Sequence, residues 1–377
     1  MKKNIPLFEA VAIIVGTIIG AGIVGIPFVF AESGFITGVV VLCLVSITLF
    51  LSRLMLGEAV MRTSTPYQLT GYTEHYAGKY FKSIQAFVLI IGIFGTLLAY
   101  MIGQGEVLSA LFGGESFHWA LGFYLVFSFL VIYGIDAVKR SELLMIITLF
   151  FVISAITVIT APDIQLSFLS SFDGGSFLLP FGVVLFASAG LVSIPQAWRV
   201  LNNSGNGHLM KRAIAWGAII PFVVYFIFSA LVVGVTGEGT TEVATVGLGE
   251  AIGPHMAIIG NIFSFFAIAT SFLTLALALT NIFRYDYKFP RPLASAIVLV
   301  TPMLMFFFGF RDFIYIISIV GALTVGINGL LSVLVFWRSK KLGDRKPEYS
   351  LSSGFAIPAS VFLTVIFTIG LISVFFI

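Results

Sequence analysis

The chain has 377 residues, 59% of them hydrophobic and only 10% charged, against roughly 25% charged residues in soluble domains. A surface so poor in charge cannot be held in water, so the sequence reads as an integral membrane protein with many spans. The formal net charge of +3 is scattered over short loops, which argues against a nucleic-acid partner, and the single cysteine, Cys43, excludes disulfides and zinc.

Apolar runs of about 20 residues predict eleven spans, at 6–31, 36–60, 84–112, 117–135, 141–160, 178–200, 212–235, 257–283, 293–310, 313–337 and 355–376. No polar linker is long enough for a second domain, so residues 1–377 are expected to form a single transmembrane domain. With this alternation every lysine and arginine except Arg311 falls on one side, Arg53 being counted with the basic end of span 2. The asymmetry predicts a cytoplasmic (inner) membrane protein with a cytoplasmic N-terminus and an extracellular C-terminus. Glu58 closes span 2 and is expected to pair with a nearby basic loop residue. Asn261 in span 8 and Asn328 in span 10 are expected to bond across helices.

The first span contains Gly16-Thr17-Ile18-Ile19-Gly20-Ala21-Gly22-Ile23-Val24-Gly25-Ile26-Pro27. Four glycines and a proline are poor choices for an uninterrupted helix. A shift of 168 residues lays Val15–Pro27 on Val183–Pro195, with Val15/Val183, Ala21/Ala189, Gly22/Gly190, Val24/Val192, Ile26/Ile194 and Pro27/Pro195 identical. The copies open spans 1 and 6. Five spans separate them, an odd number, so they run in opposite directions across the membrane. This predicts an inverted repeat of five plus five spans, about 1–160 and about 161–338, with helix 355–376 appended.

Two antiparallel broken helices present opposite backbone charges at the midplane. The outer half of span 1 begins near Gly22, so the N–H groups of Gly20, Ala21, Gly22 and Ile23 meet the midplane at a positive dipole end suited to a carboxylate. The outer half of span 6 ends near Phe186, Ala187 and Ser188, whose carbonyls suit an ammonium. Together they fit an α-amino acid zwitterion. Unwound backbone is tolerated in hydrocarbon only where a ligand, ion or water answers it.

Gly-Thr-Ile-Ile-Gly-Ala-Gly-Ile at 16–23 with Pro27 resembles the first helix of the amino acid–polyamine–organocation superfamily. The closer likeness is to the aromatic/hydroxy amino acid permeases and the amino acid/auxin permease branch. Thr270-Ser271-Phe272-Leu273 in span 8 is similar to the span-8 motif of those families. The resemblance implies an all-α polytopic protein with the leucine-transporter fold, spans 1 and 6 broken, and substrate held between spans 1, 3, 6 and 8. It also implies that Tyr100 in span 3 bonds the substrate carboxylate and that Phe186 acts as a lid or wall. Gly16, Ile19, Ala267, Thr270 and Ser271 match the pattern of a sodium site, and all five are hard oxygen donors. Thr270 and Ser271 have a second reading, as hydroxyls bonded to their own helix. Thr17, Gly190 and Ser271 complete the candidate substrate-binding set.

The sequence places no fixed charge near the two breaks, and the small residues there leave room, so a neutral substrate side chain, large apolar or aromatic, is expected. The expected function is secondary active transport of a neutral amino acid by alternating access. Its partners are the substrate, a sodium or proton coupling ion and the bilayer, with no cofactor. The alternative is a non-transporting sensor or channel-like protein on the same fold. An enzyme is not expected, because no zinc helix, catalytic acid pair or buried Ser–His pair occurs, and no phosphate-binding loop supports ATP drive.

Overall fold

The computed structural model describes residues 5–133, 153–285 and 287–374. Among these residues the regular structure is helical. The chain begins with α1 (Ile5–Ile18), a 3₁₀ turn (Ala21–Gly25) and α2 (Ile26–Glu32), followed by α3 (Phe35–Met61), α4 (Leu69–Ala77), α5 (Lys79–Phe112) and α6 (Ser116–Tyr133). After α7 (Ile153–Asp163) come α8 (Leu179–Ala187), α9 (Ser193–Asn203), α10 (Met210–Thr236), α11 (Ala244–Ile252), α12 (Pro254–Tyr285) and α13 (Arg291–Phe307). The last elements are α14 (Phe313–Val320), a π turn (Gly321–Val325), α15 (Gly326–Leu342) and α16 (Ser353–Ser373).

The helices α3, α5, α6, α10, α12 and α16 overlap expected spans 2, 3, 4, 7, 8 and 11. By length and apolarity alone, seven helices qualify as membrane-crossing, and an eighth does if the bent pair Ile5–Ile18 and Ala21–Glu32 counts as one span. Ile153–Asp163 and Arg291–Phe307 are shorter apolar helices. Most of the expected fifth span lies outside the described residues. Phe8, Ile47, Phe87, Phe129, Val158 and Trp216 are exposed, as outward-facing side chains in hydrocarbon should be. The connections at 62–83 and 236–256 carry the short helices α4 and α11, which are too short to register as apolar runs.

Both copies of the repeated stretch are broken. The first bends by 47° between its halves. Pro27 sits in the first turn of α2, where its missing N–H costs nothing and its fixed φ favours helix. The helix therefore restarts in α form only at Ile26, later than the expected Gly22, because the 3₁₀ turn Ala21–Gly25 intervenes. The second copy breaks between Ala187 and Ser193. The 3₁₀ turn and α2 pack on α8, α1 packs on α9 and α10, and α12 and α14 pack on α5, so the breaks lie between these helices.

The end of α3 is tied to the segment after α15. Glu58 is fully buried. Its carboxylate accepts from Arg62 Nε and Nη2 at 2.9 and 2.8 Å, from Ser350 Oγ at 3.0 Å and from the Leu351 N–H at 2.6 Å. Lys340 Nζ lies 3.5 Å away. Tyr349 donates to Leu54 O at 2.7 Å, and the N–H groups of Asp344 and Arg345 donate to Arg62 O. The expected pairing of Glu58 is thus present, and it joins three parts of the chain. Asn328 also bonds across helices, accepting from Gln85 Nε2 at 3.0 Å, and Asn261 accepts from Thr245 on α11 at 3.1 Å.

Removing a buried, fully bonded carboxylate strands its cationic partners and a backbone N–H. Glu58→Ala is therefore expected to destabilise the protein by about 3–5 kcal/mol, seen as a lower melting temperature in detergent. Glu58→Gln, which keeps an acceptor, should lose less.

Candidate functional site

The first break is made by backbone geometry. The Ile19 N–H donates to Val15 O at 2.8 Å. Gly20 is then extended, with φ −133° and ψ −152°. The 3₁₀ turn opens with the Ile23 N–H on Gly20 O at 3.3 Å. The N–H groups of Gly20, Ala21 and Gly22 thus come before its first bond. Ala21, Gly22 and Ile23 are buried and Gly20 is half-buried, so these unbonded donors lie inside the helix packing.

The second break meets the first directly. A Cβ on Gly22 would stand 2.7 Å from Ala187 Cα and 3.2 Å from Phe186 Cδ1, closer than side chains pack. Glycine is required there for the two backbones to touch. Phe186 is half-buried and lies against both this glycine and Gly321 of the π turn. The break carbonyls of α8 differ from expectation in one respect, because each already has a donor from this chain. Phe186 O accepts from the Ala189 N–H at 3.2 Å, Ala187 O from Tyr225 at 2.6 Å and Ser188 O from Arg53 Nη2 at 2.5 Å. A carbonyl has two lone pairs, so an ammonium would share these oxygens with internal donors.

Tyr100 on α5 is 5% exposed, and its phenol is near the Ser271 side chain on α12. Ser271 Oγ lies 3.4 Å from where Gly20 would carry a Cβ. The structure therefore gathers Gly20, Ala21, Gly22, Tyr100, Phe186, Ala187, Ser188 and Ser271 around one seam. Ile23 contributes backbone there, its side chain being buried in the core. Thr17 does not join them as a donor: it is exposed, and its single O–H donates to Ile13 O at 2.7 Å. Of the oxygens matched to a sodium site, Gly16 and Ile19 flank the end of α1, and Ala267, Thr270 and Ser271 lie on α12. The Thr270 hydroxyl donates within its own helix, to Phe266 O at 2.8 Å and Ala267 O at 3.3 Å, the local pattern common for threonine in membrane helices. Ser271 instead faces the first break.

Two residues that sequence reasoning missed complete the seam. The Tyr225 hydroxyl, from α10, lies 2.9 Å from Ile18 O and 2.6 Å from Ala187 O. One phenol thus bridges the last carbonyls of α1 and α8, one from each break, donating to one at a time. A lone tyrosine in an apolar run carries no sequence signal for this. The second residue is Arg53. It does not belong to the charged end of span 2, and the expectation of no fixed charge near the breaks is wrong. Arg53 is 3% exposed, eight residues inside the end of α3, about 12 Å along the helix. Its guanidinium reaches Ser188 O, and Nη2 lies 3.3 Å from where Gly190 would carry a Cβ. Its depth in the span was the available signal, since an intramembrane arginine is a functional candidate by default.

Known proteins share this fold. The solved structure of MhsT in complex with L-phenylalanine superposes with a TM-score of 0.67 over 99% of both chains at 14% identity, which establishes the leucine-transporter fold. The tyrosine-specific transport system 2 of Haemophilus influenzae is 25% identical over 401 residues, covering 97% of this chain and 96% of its own. The glutamine transporter 2 of Aliivibrio fischeri is 24% identical over 294 residues, covering 74% of this chain and 75% of its own. The model of the tryptophan/tyrosine permease family matches residues 3–372. The chain is therefore a member of the tryptophan/tyrosine permease family of amino acid transporters.

Proposed function

We propose that this protein is a secondary active transporter that moves a neutral amino acid across the cytoplasmic membrane by alternating access, coupled to sodium or protons. The observation that carries the reading is the contact of the two breaks at Gly22 and Ala187, with unbonded N–H groups on one side and carbonyls on the other. In this reading the substrate carboxylate takes the N–H groups of Gly20, Ala21 and Gly22, with Tyr100 beside them. The ammonium takes carbonyls at Ala187 and Ser188. Ser271 lies between substrate and ion, and Gly16, Ile19, Ala267 and Thr270 complete a cation site.

Support for a neutral side chain now rests on the relatives, named for tyrosine and glutamine. The local absence of charge no longer argues for it, because Arg53 stands at the break. In this reading spans 1, 2, 6 and 7 rock together against spans 3–5 and 8–10, from an eleven-span arrangement with a cytoplasmic N-terminus. Arg53, Tyr225 and both breaks belong to the rocking set, so their bonds travel as one body. The Glu58 cluster joins span 2 to the segment after span 10, and must loosen when the cytoplasmic side opens.

Uptake by proteoliposomes is the test, with a panel of labelled amino acids and separate sodium and proton gradients. Accumulation of a neutral amino acid under one gradient is expected; no uptake of any amino acid under either would overturn the reading. Gly22→Leu, which drives the breaks apart, should abolish substrate binding in a protein that still folds. Tyr225→Phe, which removes one bridging hydroxyl, should weaken the seam by about 1–3 kcal/mol, read as a lower melting temperature.

A further inference from the structure

Arg53 is a buried cation without an anion. No carboxylate among the described residues lies within ion-pair distance of it. The nearest acid on its own helix, Glu58, is engaged by Arg62 and Lys340. The guanidinium has five donors. Nη2 donates to Ser188 O, and Nε is buried with no partner at all. A charge removed from water is expensive unless an opposite charge or a full set of hydrogen bonds answers it, and one carbonyl does neither.

A second positive element lies against the same side chain. α9 is an eleven-residue helix whose N-cap, Val192, makes no side-chain capping bond. Its first turn is closed by the Ser193 and Ile194 N–H groups on Gly190 O and Leu191 O. The N–H groups of Gly190, Leu191 and Val192 precede those bonds and form the positive end of the helix dipole. Gly190 brings this end to the guanidinium, because a Cβ there would stand 2.6 Å from Ile18 Cγ1 and 3.3 Å from Arg53 Nη2. Two positive elements packed together repel unless something negative joins them.

We propose that Arg53 and the N-terminus of α9 form a binding site for a small monovalent anion, a halide or a carboxylate. The site lies beside the α8–α9 break and is distinct from the N–H groups of Gly20–Gly22. The anion takes the unpartnered Nε edge of the guanidinium and the free N–H groups ahead of α9, a charge-assisted arrangement. It must be small, since Arg53, Ile18 and Gly190 are already in close packing. The two sources of this chemistry are a dissolved halide such as chloride and a small dissolved carboxylate such as acetate. The site belongs to the folded chain, so its occupation is measurable whether or not transport occurs.

The test is thermal unfolding of the purified full-length protein in detergent, titrated with chloride or acetate at constant ionic strength maintained by a bulky sulfonate. A ligand that binds only the folded state raises the melting temperature in a saturable way. Chloride or acetate is expected to do this for the wild type. Arg53→Gln should weaken the apparent affinity by about tenfold or more, the loss of one charge-assisted bond. Arg53→Lys, which keeps the charge but not the planar fork, should retain part of the response, and it serves if the glutamine variant does not fold. Protection by chloride but not acetate identifies a halide site. Protection by acetate as well as chloride identifies a general small-anion site. The proposal is overturned if neither ion protects the wild type, or if both protect the wild type and the Arg53 variants equally.

Discussion

Every backbone N–H and C=O within a membrane must be answered inside the protein, and the rest of this structure depends on how two helix breaks meet that demand. An unbroken helix satisfies it automatically. Glycine at 16, 20, 22 and 25 gives up that solution in span 1, and Ser188–Val192 gives it up in span 6. The breaks are then pressed together at Gly22 and Ala187, so opposite backbone charges face one seam. The Tyr225 hydroxyl lies within bonding distance of one carbonyl from each break and donates to one at a time, and Arg53 caps a third. The carbonyl side is therefore partly self-satisfied, while the N–H groups ahead of the 3₁₀ turn are left for something else.

This asymmetry has a functional sense. A carbonyl end left open to hydrocarbon would be costly. Donors supplied by α3 and α10 answer these carbonyls from within the chain, so on the proposed reading an ammonium would share oxygens rather than rescue them. The donors that complete the seam from the other side, Tyr100 on α5 and Ser271 on α12, belong to different helices from Arg53 and Tyr225. The Glu58 cluster joins the end of α3 to Lys340, Ser350 and Leu351.

Much of this was legible in the sequence, for physical reasons. Span positions follow from apolar length, and the breaks follow from glycine and proline repeated at an offset of 168 residues. Ser271 lies near the first break, with Tyr100 beside it. The misses have a common cause. Tyr225 acts through a single hydroxyl, and its place between two carbonyls depends on how α10 crosses the breaks, which no local pattern encodes. Arg53 was grouped with loop charges because a long side chain near a span end usually reaches for water; here it reaches inward instead. The 3₁₀ turn Ala21–Gly25 was hidden because glycine permits several backbone forms and does not choose among them. The short α4 and α11 lack the apolar length by which spans are recognised.

The central claim is that the backbone of the first break holds the carboxylate of an amino acid. Solid-state NMR addresses it directly, through dipolar coupling between an amino acid labelled with ¹³C at its carboxylate and the protein labelled with ¹⁵N at glycine and alanine amides. The account predicts coupling at hydrogen-bonding range to the amides of Gly20, Ala21 and Gly22, abolished together with binding in Gly22→Leu. Bound amino acid whose carboxylate couples to none of these three amides would contradict it.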